Sequence, residues 1–157
     1  MQCFRISKYD PKKRLEDGSY SVDEWTSFSD IGSSFQAGTL TEAEYERVEA
    51  AYVTSALDFL EEAEVDALRV VSYENYGGYQ SQVDLNGSLS GDMLRRALVE
   101  VLREHWWGKF EADQCYIHIG YDFYMYVGVP KSCTQSRRTC VKRGLYVECV
   151  DSPYWDE

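Results

Sequence analysis

Residues 115 to 129 read CYIHIGYDFYMYVGV, two apolar-rich stretches, Cys115 to Ile119 and Phe123 to Val129, joined near Gly120-Tyr121-Asp122. A link this short closes an antiparallel hairpin, because parallel strands need a crossover of roughly a dozen residues or more. The other long pattern is helical. Thr41-Glu42-Ala43-Glu44 matches a capping box, and nothing from there to about Ala63 breaks a helix. Tyr45, Val48, Tyr52, Ala56, Phe59 and Ala63 recur at steps of three and four and form its buried stripe. An antiparallel hairpin and a long one-sided helix bury each other best as a helix laid on a sheet, which is the α+β class.

The rest of the chain fits that frame. QCFRIS (residues 2 to 7) alternates as a strand, and Asp10-Pro11 and Asp17-Gly18 mark a loop over residues 9 to 22. Residues 23 to 35, DEWTSFSDIGSSF, predict a helical turn capped by Ser27 or Ser29 and ended near Gly38. ALRVVSYE (67 to 74) reads as a strand ended by Gly77-Gly78, and Tyr79 to Leu85 as another that turns at Asn86-Gly87. Leu94, Ala97, Leu98, Val101, Leu102, His105 and Trp106 predict a second amphipathic helix reaching about Trp107, with Trp106 in the core. Residues 130 to 142 read as a polar loop, and Leu145 to Val150 as the last strand. With 157 residues, the expectation is one domain over 1 to 157. It is a mainly antiparallel sheet of about five or six strands with two main helices on one face.

Charge is concentrated. Residues 23 to 66 hold 12 acids against one base, Arg47, so this stretch carries the chain's entire net charge of -11. Such a block repels phosphate and disfavours direct binding of nucleic acid, while a basic partner is favoured. A solvated acidic face explains the same composition without any partner, and acids in the first turn of the long helix also suit its dipole.

Chemistry is sparse. Cys3, Cys115, Cys133, Cys140 and Cys149 form no CxxC pair and have no histidine at zinc spacing, so free thiols are expected. Cys115 and Cys149 sit in apolar runs and read as buried, and a Cys133 to Cys140 disulfide would need an oxidising compartment. No phosphate-binding glycine loop, dinucleotide fingerprint or HExxH is present, and no cofactor or metal site is expected. Of two histidines, His105 falls on the stripe of the second helix, where packing explains it, and His118 falls opposite Ile117 and Ile119, on the other face of the sheet and open to solvent. No apolar run reaches the roughly 18 residues of a membrane span, and the start QCFRISKYD is not that of a signal segment, so a cytoplasmic protein is expected.

Aromatic residues are the stronger clue to binding. Tyr124 and Tyr126 share one face of the late hairpin, opposite Phe123, Met125 and Val127, so one face packs on helices and the other presents tyrosines. Trp25 and Phe28 either staple their loop onto the core or supply an apolar anchor rimmed by Asp23, Glu24 and Asp30.

RISKYDPKKRLEDGSY, DEWTSFSDIG, TEAEYERVEAAYV, GYDFYMYVG, and GLYVE followed by SPY resemble a group of small immunity proteins from bacterial polymorphic-toxin and contact-dependent inhibition systems. The likeness spans most of the chain outside residues 75 to 92 and 130 to 143. It implies a cytoplasmic, non-catalytic protein that binds a cognate toxin and blocks its active site or substrate surface, and it carries over no individual functional residue. Joined to the charge and aromatic readings, it sets Asp23, Glu24, Trp25, Asp30, Glu42, Glu46, Glu49, Asp58, Glu61, Tyr121, Asp122 and Tyr124 as expected partner contacts, with a basic toxin as the partner. The competing expectations are an acidic nucleic-acid mimic that sequesters a DNA- or RNA-binding protein, and a small enzyme using His118.

Overall fold

The computed structural model describes residues 1–155; positions 156 and 157, the end of the expected domain, lie outside them. Seven strands form one antiparallel sheet: β1 (Gln2–Ser7), β4 (Leu68–Glu74), β5 (Ser88–Leu89), β6 (Trp107–Ala112), β7 (Cys115–Ile119), β8 (Met125–Val129) and β9 (Tyr146–Glu148), in spatial order β5-β4-β6-β7-β8-β1-β9. A separate two-strand ribbon, β2 (Ser34–Phe35) with β3 (Gly38–Thr39), precedes the long helix. The helices are α1 (Glu42–Ala63), α2 (Gly91–Leu102) and α3 (Thr134–Lys142). The fold is α+β in a single domain, and no helix among the described residues is long and apolar enough to cross a membrane. Both sheet edges are very short strands, a shape that discourages edge-to-edge pairing.

The expected stripe of α1 is buried throughout, and it meets one parity of the strands: Phe4 and Ile6 of β1, Ile117 of β7, Met125 and Val127 of β8. Trp106 is core as expected, at 3% exposure. The opposite parity is covered too. Tyr116, His118 and Tyr126 lie beneath Ser152, Tyr154 and Trp155, which run back over the sheet after β9. Gly128 is needed here, because a Cβ at that position would stand 2.3 Å from the Tyr116 ring. His118 is therefore fully buried rather than open to solvent, and Tyr126 is not part of an exposed platform.

Among the described residues the sheet has seven strands and the helices number three, against five or six and two expected. β6 and the β2–β3 ribbon are not among the expected elements, and the turn expected to end near Gly38 is confined to Phe28–Asp30. Three further differences have a clear physical cause. The second helix stops at Leu102, although apolar spacing continues through Trp106. Glu104 adopts φ 61, with its N–H donating to Val101 O and the His105 N–H to Glu100 O, a Schellman ending without the usual glycine. This turn redirects the chain so that Trp107 begins β6. Residues 79 to 85 form no strand. Asn75 closes that loop by donating to Tyr79 O and accepting from the Tyr79 N–H, and β5 is confined to two residues. The polar stretch 130 to 142 contains α3, whose free amides at Gln135 and Ser136 donate to the Glu62 carboxylate of α1. A cap supplied from more than 70 residues away leaves no local signature. Among the cysteines, Cys133 and Cys140 are free and buried, Cys115 is buried as expected, and Cys149 is exposed because β9 ends before it.

Candidate partner-binding site

The segment preceding α1 and the β7–β8 turn meet at one end of the sheet. Trp25 and Phe28 are half-buried staples: Trp25 lies 5.5 Å from the Tyr45 ring and 5.1 Å from that of Phe123, and Phe28 lies 5.1 Å from Tyr45. Trp25 also has a second task. With Tyr9 it flanks the Lys8 ammonium, each ring centroid 4.1 Å from Nζ, and Glu24 accepts from that ammonium at 3.3 Å. Burial pulls the Lys8 pKa down to about 8 against the opposing pull of Glu24. Asp30 is spent on its own turn (Phe28–Asp30), accepting from the Thr26 and Ser27 amides.

The turn itself is strained. Gly120 O accepts from the Phe123 N–H, the Gly120 N–H donates to Tyr124 O, and Phe123 sits at φ 60, where a bulky side chain is rare. Its ring, 3% exposed, is buried against Trp25, Tyr45 and Tyr52, and the Tyr52 hydroxyl donates to its carbonyl at 2.9 Å. Burying Phe123 in this conformation lifts Tyr121 and Asp122 to the surface. Backbone strain held by surrounding packing concentrates at functional positions.

Tyr121, 71% exposed, stands beside a cleft of about 290 Å³. Tyr76, 89% exposed, lines the same cleft, with Glu74, Glu104, His105 and Trp107 among the walls. Among the described residues, its ionisable side chains besides the tyrosines are two acids and one histidine. Tyr76 donates its hydroxyl to Glu74 at 2.9 Å, which raises the phenol pKa, and the Tyr121 phenol is raised by burial and then by the charge of Glu74. The Trp107 indole is fixed by donation to Ile119 O, and its ring lies nearly parallel to that of Tyr121 at 5.8 Å. Glu104 accepts from the Ser29 N–H at 2.9 Å, tying the segment before α1 to the end of α2. His105 stacks on Tyr79 at 4.1 Å, and its Nδ1 is shut off from solvent with no hydrogen-bond partner among the described residues.

The expected contact residues divide into three places. Asp23, Glu24, Asp122 and Tyr124 line a second cleft, which shares Thr26 with the first, so they and Tyr121 are brought together. Glu42, Glu46 and Glu49 lie on the first half of α1. Glu49 is not a free surface acid: it is 6% exposed and grips Arg103 through two bonds of 2.7 and 2.8 Å. Asp58 and Glu61 lie further along α1, where Asp58 pairs with Arg143 at 2.7 Å and Glu61 is exposed. The acidic block is therefore not one surface. Six of its 12 acids pair with bases: Glu24 with Lys8, Glu44 with Arg47, Glu46 and Glu49 with Arg103, Asp58 with Arg143, Glu64 with Lys131. The cleft residues Glu74, Tyr76, Glu104, His105 and Trp107 were not expected as contacts; the aromatic cluster YENYGGY, residues 73 to 79, is the sequence signal that could have found Tyr76.

On the covered face, His118 Nδ1 lies 2.8 Å from Ser152 Oγ and Nε2 lies 3.0 Å from Glu111. Burial, and then the Lys109 charge, lowers its pKa from the ordinary 6.5 to about 3. The serine, histidine and carboxylate resemble a hydrolytic set in composition, yet His118 is fully buried and Ser152 Oγ already accepts from the Tyr154 N–H. Among the described residues no group of three metal-ligating side chains is found. No protein-family model matches the chain, and no match is found among curated proteins or solved structures.

Proposed function

We propose that this chain is an immunity protein that binds a cognate toxin with a cationic surface and neutralises it by stoichiometric occlusion. The observation that carries the reading is the cleft flanked by Tyr76 and Tyr121, both strongly exposed, whose charged walls are Glu74 and Glu104. Tyrosines offer large contact area at little rotamer cost, and acids beside them steer a basic partner into register. The resemblance of RISKYDPKKRLEDGSY and DEWTSFSDIG to immunity proteins points the same way. The contact surface on this reading is the end of the sheet, from Asp23 and Glu24 across Asp122 and Tyr121 to Tyr76, rather than the whole acidic segment.

A nucleic-acid mimic would need a run of free acids in phosphate-like succession, and the ion pairing of half the acidic block argues against it. The test is a tagged pull-down from the native host with mass spectrometry at low and high salt. One basic toxin fragment recovered in equal amount is the expected result. Many basic proteins that wash off with salt would replace this reading with the mimic.

A further inference from the structure

We propose that the cleft between Tyr76 and Tyr121 is a receptor for an arginine side chain projecting from the bound partner. The inference rests on the proposed partner-binding role and names the chemistry recognised. Two observations converge. The cleft, about 290 Å³, has aromatic faces at Tyr76, Trp107 and Tyr121. Its charged acceptors are Glu74, which takes a bond from the Tyr76 hydroxyl and acts on the Tyr121 phenol, and Glu104, which takes one from the Ser29 N–H.

A guanidinium answers both. It is planar and stacks on aromatic rings, it is weakly hydrated, and its five N–H groups in a fixed fork suit carboxylate acceptors beside the rings. An ammonium is compact and strongly hydrated, and has no flat face to lay on a ring. The protein already uses this chemistry internally. Arg103 is held bidentately by Glu49 with its guanidinium carbon 5.6 Å from the centroid of the Phe28 ring. The cleft at the sheet end has the acids and rings of such a site and no lysine or arginine among its described lining residues.

The test titrates the ¹⁵N-labelled full chain with Nα-acetylarginine amide, and in parallel with the lysine and citrulline counterparts. Shifts confined to residues 74 to 77, 104 to 107 and 119 to 121 are expected with the arginine probe, at least about fivefold tighter than with lysine and absent with citrulline. Tyr121→Ala and Glu74→Gln should each weaken the arginine response while leaving the remaining spectrum in place, since Tyr121 is mostly exposed. No shift at the cleft, or equal shifts with citrulline, would overturn the proposal. Because the probe needs no toxin, its failure alongside successful capture of a basic partner removes the arginine and leaves the immunity reading standing.

Discussion

Replacing Phe123 by glycine should leave a more stable protein than replacing it by alanine. Both variants lose a ring buried to 3% exposure against Trp25, Tyr45 and Tyr52, a loss of about 3 to 5 kcal/mol for a core phenylalanine. They differ in the backbone. At φ 60 an alanine keeps the Cβ clash of the left-handed region, and glycine removes it. Alanine at a positive φ is disfavoured by more than the roughly 0.4 to 1 kcal/mol it normally gains over glycine through the unfolded chain. The expected order is Phe123→Gly above Phe123→Ala by about 1 kcal/mol. Phe110 is the control: it is fully buried in β6 and is not among the positive-φ residues. There glycine should fall below alanine by about 0.5 to 1 kcal/mol. Urea unfolding followed by tryptophan fluorescence reads both pairs, and a 1 kcal/mol difference displaces the midpoint by about 0.3 to 1 M at ordinary slopes. Finding Phe123→Gly no more stable than Phe123→Ala would show that the turn is unstrained, and would remove the argument that core packing holds Tyr121 and Asp122 out.

Arg103→Ala leaves the Glu49 carboxylate buried without its partner and should cost about 3 kcal/mol in chemical denaturation, whereas Glu42→Gln, at an exposed position, should change stability by less than about 0.5 kcal/mol. His118 stays neutral in the fold down to about 3 while the unfolded chain takes up a proton near 6.5. The unfolded state therefore binds more protons in that window. Stability is full above pH 6.5 and falls as pH drops toward 3, by up to about 1.4 kcal/mol per pH unit for one group. Melting curves between pH 7 and 5 should show a shallower decline for His118→Gln than for wild type, and identical slopes would contradict the burial argument. Glu62→Ala strips the Gln135 and Ser136 amides of their acceptor. Amide exchange should quicken in α3 with little change in β7 and β8, at a cost of about 1 kcal/mol.

The legible parts of the fold are those where side-chain period and local chemistry agree. The stripe of α1 and the hairpin of β7 and β8 follow from spacing and link length, because burial there selects one face; Trp106 is core as expected, but it is buried from the turn after α2 and not from a helical stripe. The illegible parts depend on groups distant in sequence or on backbone conformations that residue type does not announce. Glu104 ends α2 in a conformation usually marked by glycine, so the apolar spacing of His105 and Trp106 extends a helix that the chain has already left. The amides of α3 are capped by Glu62, and its residues alone read as a polar loop.

The candidate site is legible to a similar degree. Tyr121, Asp122, Asp23 and Glu24 can be picked out from charge and aromatic content, and the structure gathers them at one end of the sheet. The count of acids in residues 23 to 66 misleads, since Lys8, Arg103, Lys131 and Arg143 come from elsewhere in the chain to neutralise several of them. Glu74, Tyr76 and Glu104 lie in segments of unremarkable charge and become a site only when β4, the end of α2 and the β7–β8 turn converge.

The most direct measurement is the dissociation constant of the captured partner for wild type and for the Tyr76→Ala, Tyr121→Ala double variant, taken at low and high salt. Two anchoring aromatic residues at the centre of an interface predict a loss of about 100-fold or more, carried mainly by faster dissociation and with no change in melting temperature. An affinity within about twofold of wild type, in a partner still captured, would contradict the assignment of this end of the sheet as the contact surface.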